Sequence, residues 1–302
     1  MSISAVTAHV QKHALRWLYG VGAIIFISAG WFWWYRVQTN PERVFWDTMS
    51  QSLSTSGVTM QATQDSDGSK VAHTLQYSLG GINRARSLTA LEQGTTKVTT
   101  EIIGTPDTDY TRYTRIDTDQ KDSAGKSFDL KGVLGVWAKG DKGANQLLGQ
   151  GLLGLGLPLG ALPVPIGNLT PEARGKILNQ MRSEEVYKTS FDKVKREHKK
   201  GRLTYTYDVS IQMILYAHLM RSFASSVGLD ELKDLDPNTY QGAAPIEVQL
   251  TIDVRSHHIV SVHVPETGYK QYYSAYDVPV SAAIPARTIP ASELQKRLSE
   301  LQ

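Results

Sequence analysis

The chain has 302 residues, of which 41% are hydrophobic and 20% are charged, and it contains no cysteine. This composition is typical of a globular protein, and it excludes an intrinsically disordered chain, a disulfide scaffold, a cysteine nucleophile and a thiolate metal site. Three of the 32 basic residues and none of the acidic ones lie in the first forty positions, so the other 29 basic residues balance the 29 acidic ones. A neutral remainder argues against nucleic acid as a partner.

The first predicted element is a membrane anchor at residues 17–35, WLYGVGAIIFISAGWFWWY, which carries no charged residue. As a helix this stretch spans about 28 Å at ~1.5 Å per residue, close to the roughly 30 Å of a hydrocarbon core. Tryptophan and tyrosine cluster at both ends, as in the interfacial belts of membrane-spanning helices. A cleaved signal peptide, with small residues at Ser28-Ala29-Gly30, is the alternative.

Charge predicts the orientation of this anchor. Lys12 and Arg16 precede it with no acidic residue nearby, and basic residues favour the cytoplasmic side. We therefore expect a cytoplasmic arm at residues 1–16, a single pass through the cytoplasmic membrane at 17–35 and an extracytoplasmic domain at 41–302.

A helix is predicted directly after the anchor. Thr39-Asn40-Pro41-Glu42 combines a polar cap, a first-turn proline and an acid, and Phe45, Met49 and Leu53 recur at helical spacing. Gly57 is the expected end of this helix. From Val58 to Ile116, short segments with period two and turns every eight to twelve residues predict an antiparallel meander.

The second half of the chain mixes helices with hairpins. A further strand is expected at 132–138, ending near Trp137, and Thr170-Pro171-Glu172 predicts the start of a helix. The remaining predicted elements are a hairpin of 191–195 and 202–211, a helix at 213–227, a hairpin of 246–255 and 259–264, strands within 272–284 and a short helix bearing Leu294, Leu298 and Leu301. This order predicts an α+β domain built on one curved antiparallel sheet, covered by helices.

The element order and the closing YSAYDVPVSAAIP resemble the bacterial lipoprotein-carrier superfamily of LolA and LppX types, over roughly residues 41–287. The resemblance implies an unclosed half-barrel whose concave face is covered by helices and holds acyl chains or lipids. The chain departs from that family in one respect, because the carriers are lipidated or free and this chain keeps a helical anchor. The departure argues against shuttling between membranes.

A leucine- and glycine-rich segment at 145–168, NQLLGQGLLGLGLPLGALPVPIGN, lacks any charge. Its prolines and glycines disfavour a second membrane helix. In a helix interior each proline costs about 3 kcal/mol and each glycine about 1 kcal/mol relative to alanine. Three interpretations of the segment remain: a re-entrant loop, a fixed cover of the core and a mobile lid over an apolar cavity. For the lid, leucines need apolar contact and glycines permit movement. The residues predicted to line the cavity are Trp137, Leu152, Leu155, Leu157, Leu215, Leu219 and Phe223.

A dense basic run occupies the tip of one predicted hairpin. It is either a solvated turn or a surface for anionic headgroups or cell-wall polymers. Its basic residues are Lys193, Lys195, Arg196, Lys199, Lys200 and Arg202.

The sequence contains short matches to catalytic and cofactor-binding motifs, but each match lacks the residues or the structural context that its chemistry requires. The glycine pattern at 149–154 is followed by Pro158, which interrupts the helix that a dinucleotide site needs. Two Ser-x-x-Lys matches lack their Lys-Thr-Gly partner, and His257 and His263 lie about 20 Å apart if they share a strand, too far for one metal.

The leading hypothesis is therefore a non-enzymatic, membrane-anchored domain that binds a lipid or another hydrophobic molecule, with no cofactor and no metal. A structural or protein-interaction module of the cell envelope, with no ligand cavity, is second, and an enzyme is third. The oligomeric state stays open.

Overall fold

The structure, a computed structural model, describes Ser28 and residues 37–66, 68–79, 83–121, 125–141, 163–199, 201–228 and 236–300. The chain divides into two compact units, residues 1–46 and 47–302. The described residues form an α+β protein with four α-helices and a large, curved, unclosed antiparallel sheet, which confirms the predicted α+β class and the curved sheet. Among these residues no helix is both long enough and apolar enough to cross a bilayer. The predicted anchor at 17–35 lies outside them, apart from Ser28.

The helices begin and end near the predicted positions. They are α1 (Pro41–Ser54), α2 (Pro171–Ser183), α3 (Met213–Val227) and α4 (Ala291–Ser299). The Asn40 side chain caps α1 by accepting a hydrogen bond from the Arg43 N–H at 3.1 Å, and Thr170 caps α2 by accepting one from Ala173 at 3.3 Å. Both predicted helix starts are confirmed.

Thirteen strands form the sheet, in the order β13-β6-β5-β4-β3-β2-β1-β12-β11-β10-β9-β7, with β8 paired to β9. All pairs are antiparallel except β6 with β13. The first half comprises β1 (Gly57–Ser66), β2 (Ser69–Ser78), β3 (Arg84–Gln93), β4 (Thr96–Gly104), β5 (Asp109–Asp117) and β6 (Ala138–Lys139). The second comprises β7 (Tyr187–Thr189), β8 (Lys195–Lys199), β9 (Arg202–Ile211), β10 (Ile246–Asp253), β11 (His258–Val264), β12 (Tyr269–Ser274) and β13 (Ile289–Pro290).

The strand register separates two faces of the sheet. One face, which we call the helix face, contains a row of directly paired residues that runs across six strands: Tyr273, Met60, Leu75, Ser87, Ile102 and Thr111. Side chains of α3 lie over this face, where Met213 and Tyr216 line one small cavity together with Val248 and Val262. The opposite face, which we call the outer face, carries the alternate residues of each strand.

Both faces carry additional cover at the β5–β6 end. On the helix face, Leu294 of α4 forms a cluster with Val133 and Ala138, against which Tyr113 and Ile116 pack. On the outer face, the chain between β12 and β13 places Ala282 in a second cluster with Ile103 and Tyr110. These two clusters flank the sheet from opposite sides, because residues next to each other on a strand point to opposite faces.

Several predicted boundaries are wrong. Helix α1 ends at Ser54, and Gly57 instead begins β1, where a Cβ would lie 2.7 Å from the carbonyl oxygen of Tyr77. The predicted strand at 132–138 is a 3₁₀ turn (Leu130–Gly132) followed by the two residues of β6. The segment 191–195 begins with a 3₁₀ turn, and 272–284 contributes only the end of β12.

Candidate functional site

A row of aliphatic side chains on the helix face is only half-buried. By register, Val71 pairs with Leu91, Leu91 with Val98, and Val98 with Ile116, so the four side chains cross β2 to β5 side by side. All four have intermediate exposure. Three strand spacings of about 4.8 Å make this row, which we call the aliphatic row, roughly 14 Å long. Its dimensions suit one extended apolar chain.

A second, more polar row lies beside the aliphatic row and ends at Tyr113. His73 of β2 pairs with Thr89 of β3, Thr89 pairs with Thr100 of β4, and Thr100 pairs with Tyr113 of β5. The His73 ring is 2.9 Å from the Ser87 hydroxyl, and burial lowers its pKa, so the neutral imidazole is favoured. This part of the face therefore offers hydroxyl and imidazole groups without a formal charge.

The sheet beneath α3 is closed, in contrast to the aliphatic row. A cavity there has a volume of about 20 Å³, room for about one water molecule, and is lined mainly by apolar side chains of β9 to β12 and α3. An acyl chain does not fit in this space. The half-buried part of the helix face lies instead over β2 to β5, between this packed core and the α4 cluster.

The structure does not bring the predicted cavity residues together. Leu219 and Phe223 are fully buried, whereas Leu215 lines an open surface groove between α2 and α3 with Glu184 and Arg221. Trp137 packs against the outer-face cluster, on the opposite side of the sheet from α3. Leu152, Leu155 and Leu157 lie outside the described residues.

The end of the leucine- and glycine-rich segment is described, and there it forms fixed core. Val164 and Ile166 are almost completely buried, and the Tyr187 hydroxyl donates a hydrogen bond to the Pro163 carbonyl at 2.7 Å. The Asn168 and Leu169 N–H groups donate to carbonyls of Thr55 and Leu53 at the end of α1. Residues 163–167 are therefore part of the buried core, whereas residues 145–162 of the segment lie outside the described residues.

The basic hairpin is formed by β8 and β9, with the turn at Gly201, whose φ of +75° favours glycine. Lys193, Lys195, Arg196 and Arg202 are exposed, and Lys199 ends β8, while Lys200 lies outside the described residues. Lys195 and Arg196 point to opposite faces of the hairpin, with Lys195 3.9 Å from the Asp208 carboxylate and Arg196 over the Tyr205 ring. The positive charge is thus divided between two faces.

Polar chemistry appears on the outer face, where β3, β4 and β5 meet. The Glu101 carboxylate is nearly buried and accepts hydrogen bonds from both Arg86 and Arg112. Sequence reasoning missed these residues and the aliphatic row. Alternation in the strands assigns each residue to a face, but only the register shows which residues of neighbouring strands are adjacent.

Within the described residues no three histidine or acidic side chains converge as a metal site would require. His257 lies in the turn between β10 and β11, and His263 is 3.1 Å from the Gln249 side chain. No protein-family model matches the chain, and a comparison with curated proteins likewise found no match.

Proposed function

We propose that this protein is a single-pass, membrane-anchored domain that binds a lipid or another elongated hydrophobic molecule outside the cytoplasmic membrane, without catalysis. The ligand lies along the aliphatic row, on the helix face of β2 to β5. The observation that carries this proposal is a difference in burial along the helix face. Sheet side chains beneath α3, such as Val248 and Val262, are buried, whereas Val71, Leu91 and Val98 are only half-buried.

Burial energetics support a ligand at this place. Fully burying an exposed leucine or valine side chain stabilises by about 1.5–3 kcal/mol. The members of the row are already partly buried, so each contributes only the fraction that is still exposed, and affinity comes from covering several of them together. The neighbouring His73, Thr89 and Thr100 offer polar groups that orient a headgroup without a charge. The α4 cluster closes the row at Ile116.

The anchor and the leucine- and glycine-rich segment complete the proposal from the sequence side. The stretch at 17–35 holds the domain at the bilayer surface, where lipid ligands are available. Leu152, Leu155 and Leu157 supply the movable cover over the bound chain.

A photoactivatable long-chain fatty acid, applied to membranes that carry the full-length protein, tests the location of the ligand. We expect cross-linked peptides to come from β2 to β5. Leu91→Gln places an amide in the row, which an apolar ligand would cover without a hydrogen bond, and lowers labelling about five- to 150-fold, the equivalent of about 1–3 kcal/mol. The matched control is Leu88→Gln, the same change in the same strand but on the outer face, where Leu88 is 39% exposed.

The outcome that contradicts the proposal is equal labelling of both variants, or labelling confined to residues 17–35. Thermal melts of both variants separate a loss of binding from a loss of folding.

A protein-interaction module is the second candidate. The observation that favours it is the exposure of large apolar side chains in β12 and in the segment that follows it, with Tyr272 50%, Val278 54% and Ile284 48% exposed. Exposed apolar residues of this kind are common at sites that bind other proteins. Cross-linking of the full-length chain to a membrane protein through Val278, with no fatty-acid labelling of β2 to β5, would favour this reading.

A further inference from the structure

One carboxylate on the outer face is held by two guanidinium groups. Glu101 of β4 has a side chain that is only 5% exposed. The Arg86 Nε atom donates to its Oε1 atom at 2.8 Å, while Arg112 donates to its Oε2 atom from Nε at 2.8 Å and from Nη2 at 2.5 Å. The two arginines therefore use different oxygens of the same carboxylate.

This triad carries a net positive charge. Burial acts to raise the pKa of Glu101, but the hydrogen bonds and charges of Arg112 and Arg86 outweigh it and hold the pKa below its ordinary value. The carboxylate is thus ionised at neutral pH and neutralises only one of the two arginines. Because the Arg86 and Arg112 side chains are 40% and 33% exposed, the excess charge faces solvent.

Both guanidinium groups are held in position before any ligand arrives. The Arg112 guanidinium lies 4.5 Å from the centre of the Trp137 ring, and Trp137 is itself packed against the outer-face cluster. Arg86 is fixed through its Nε atom, and within the described residues its Nη1 and Nη2 atoms have no hydrogen-bond partner. A receptor whose side chains are already ordered loses little conformational entropy on binding.

The other charged side chains that β3, β4 and β5 carry on this face do not cancel the excess. Lys97 pairs with Glu92 at 3.2 Å, and Arg115 pairs with Asp117 at 2.5 Å, so those two pairs are neutral. Arg84, two residues before Arg86 on the same face, donates to the Ala282 carbonyl. No described carboxylate pairs with Arg84, which adds a further positive charge to the surroundings.

We propose that Arg86 and Arg112 form a binding site for a phosphate group. Guanidinium groups match oxyanions in geometry and form short, charge-assisted hydrogen bonds with them. Phosphate is preferred over carboxylate because it presents more acceptor oxygens, enough for two guanidinium groups at once. This site lies on the opposite face from the aliphatic row, so it is independent of the proposed hydrophobic ligand.

The melting temperature of the full-length protein, measured during titration, tests this site. The two probes are inorganic phosphate and glycerophosphoglycerol, the water-soluble headgroup of phosphatidylglycerol, each against chloride at the same ionic strength. We expect a saturable rise with at least one probe, since ligands that bind the native state stabilise it. Tighter binding of glycerophosphoglycerol assigns the site to lipid headgroups, and tighter binding of inorganic phosphate assigns it to free phosphate.

Two matched variants identify the residues responsible. Arg86→Gln should weaken binding at least tenfold, whereas Arg115→Gln, the same change in a neutral ion pair on the same face, should leave it unchanged. Arg86→Lys keeps the charge, loses the forked geometry and should bind with intermediate strength, which covers the case in which Arg86→Gln does not fold.

Three results would overturn the site. One is a rise in melting temperature that chloride reproduces, another is equal weakening by Arg115→Gln, and the third is no response of the wild type to either probe up to about 10 mM.

Discussion

Gly167 lies against the ring of Phe223, and this contact predicts a large effect of a single methyl group. A Cβ at Gly167 would lie 2.4 Å from Cε2 and 2.5 Å from Cζ of Phe223. Carbon atoms in contact are normally about 3.5–4.0 Å apart, so the added methyl overlaps the ring by about 1 Å or more. Phe223 is fully buried, so its ring cannot swing into solvent without leaving the core.

We expect Gly167→Ala to lower the free energy of unfolding by about 1–3 kcal/mol, the usual range for overpacking a core. For a unit of this size the melting temperature should fall by about 2–12 °C. Urea and thermal unfolding of the full-length protein, followed by circular dichroism, measure both quantities.

Gly175 supplies the matched control. It lies inside α2, and a Cβ there meets no heavy atom within 4 Å. Gly175→Ala should therefore stabilise the protein by about 0.5–1 kcal/mol, through the ordinary helix preference of alanine.

A double mutant tests the cause. Phe223→Leu removes the far end of the ring, so Gly167→Ala should cost much less in that background than in the wild type. The packing argument is refuted if Gly167→Ala does not lower the free energy of unfolding. It is also refuted if Gly167→Ala lowers that free energy by the same amount in the Phe223→Leu background as in the wild type.

Three further predictions follow from buried polar groups and from the anchor. Glu101→Gln should destabilise by about 1–3 kcal/mol at pH 7; because the pKa of Glu101 is lowered in the folded state, its contribution is complete above pH 4.5 and is lost as the pH falls through the folded pKa. The difference in the free energy of unfolding between the wild type and Glu101→Gln, measured with urea, should therefore become smaller in acid. A difference that does not change with pH would contradict this account. The Tyr77 hydroxyl is buried with no hydrogen-bond partner in the described part of the chain, so Tyr77→Phe should leave stability unchanged or raise it by about 1 kcal/mol. Tyr273→Phe, which removes a 2.9 Å hydrogen bond to Gln271, should instead lower stability by about 0.5–1.5 kcal/mol. If Tyr77→Phe is less stable than Tyr273→Phe, the argument is refuted. For the anchor, protease added outside intact spheroplasts should digest the domain after residue 40 and leave 1–35 with the membrane; full protection of the domain would reverse the predicted orientation.

Local signals determine much of the fold. The caps at Asn40 and Thr170 are read from a few neighbouring residues, and so is the apolar spacing that predicts α3 from Met213 to Val227. Helix caps and side-chain periodicity depend on contacts within one turn or one strand. For this reason the sequence by itself determines the element order, the α+β class and the strand-rich first half.

The register of the sheet was decided only by the tertiary structure. The aliphatic row brings together residues of four strands, and Glu101 meets arginines that lie 15 and 11 positions away along the chain. A shift of one residue in any of these pairs would place the same side chains on the other face. No local pattern specifies that choice.

Trp137 and Gly167 show the same limit at single positions. Strand β6 has only two residues, too few for alternation to show that Trp137 faces away from α3. Gly167 reads as a flexible glycine in a glycine-rich segment, yet the chain places it against Phe223, 56 positions away. Local patterns determine the elements of this protein, whereas contacts between residues distant in sequence determine which of its side chains share a site.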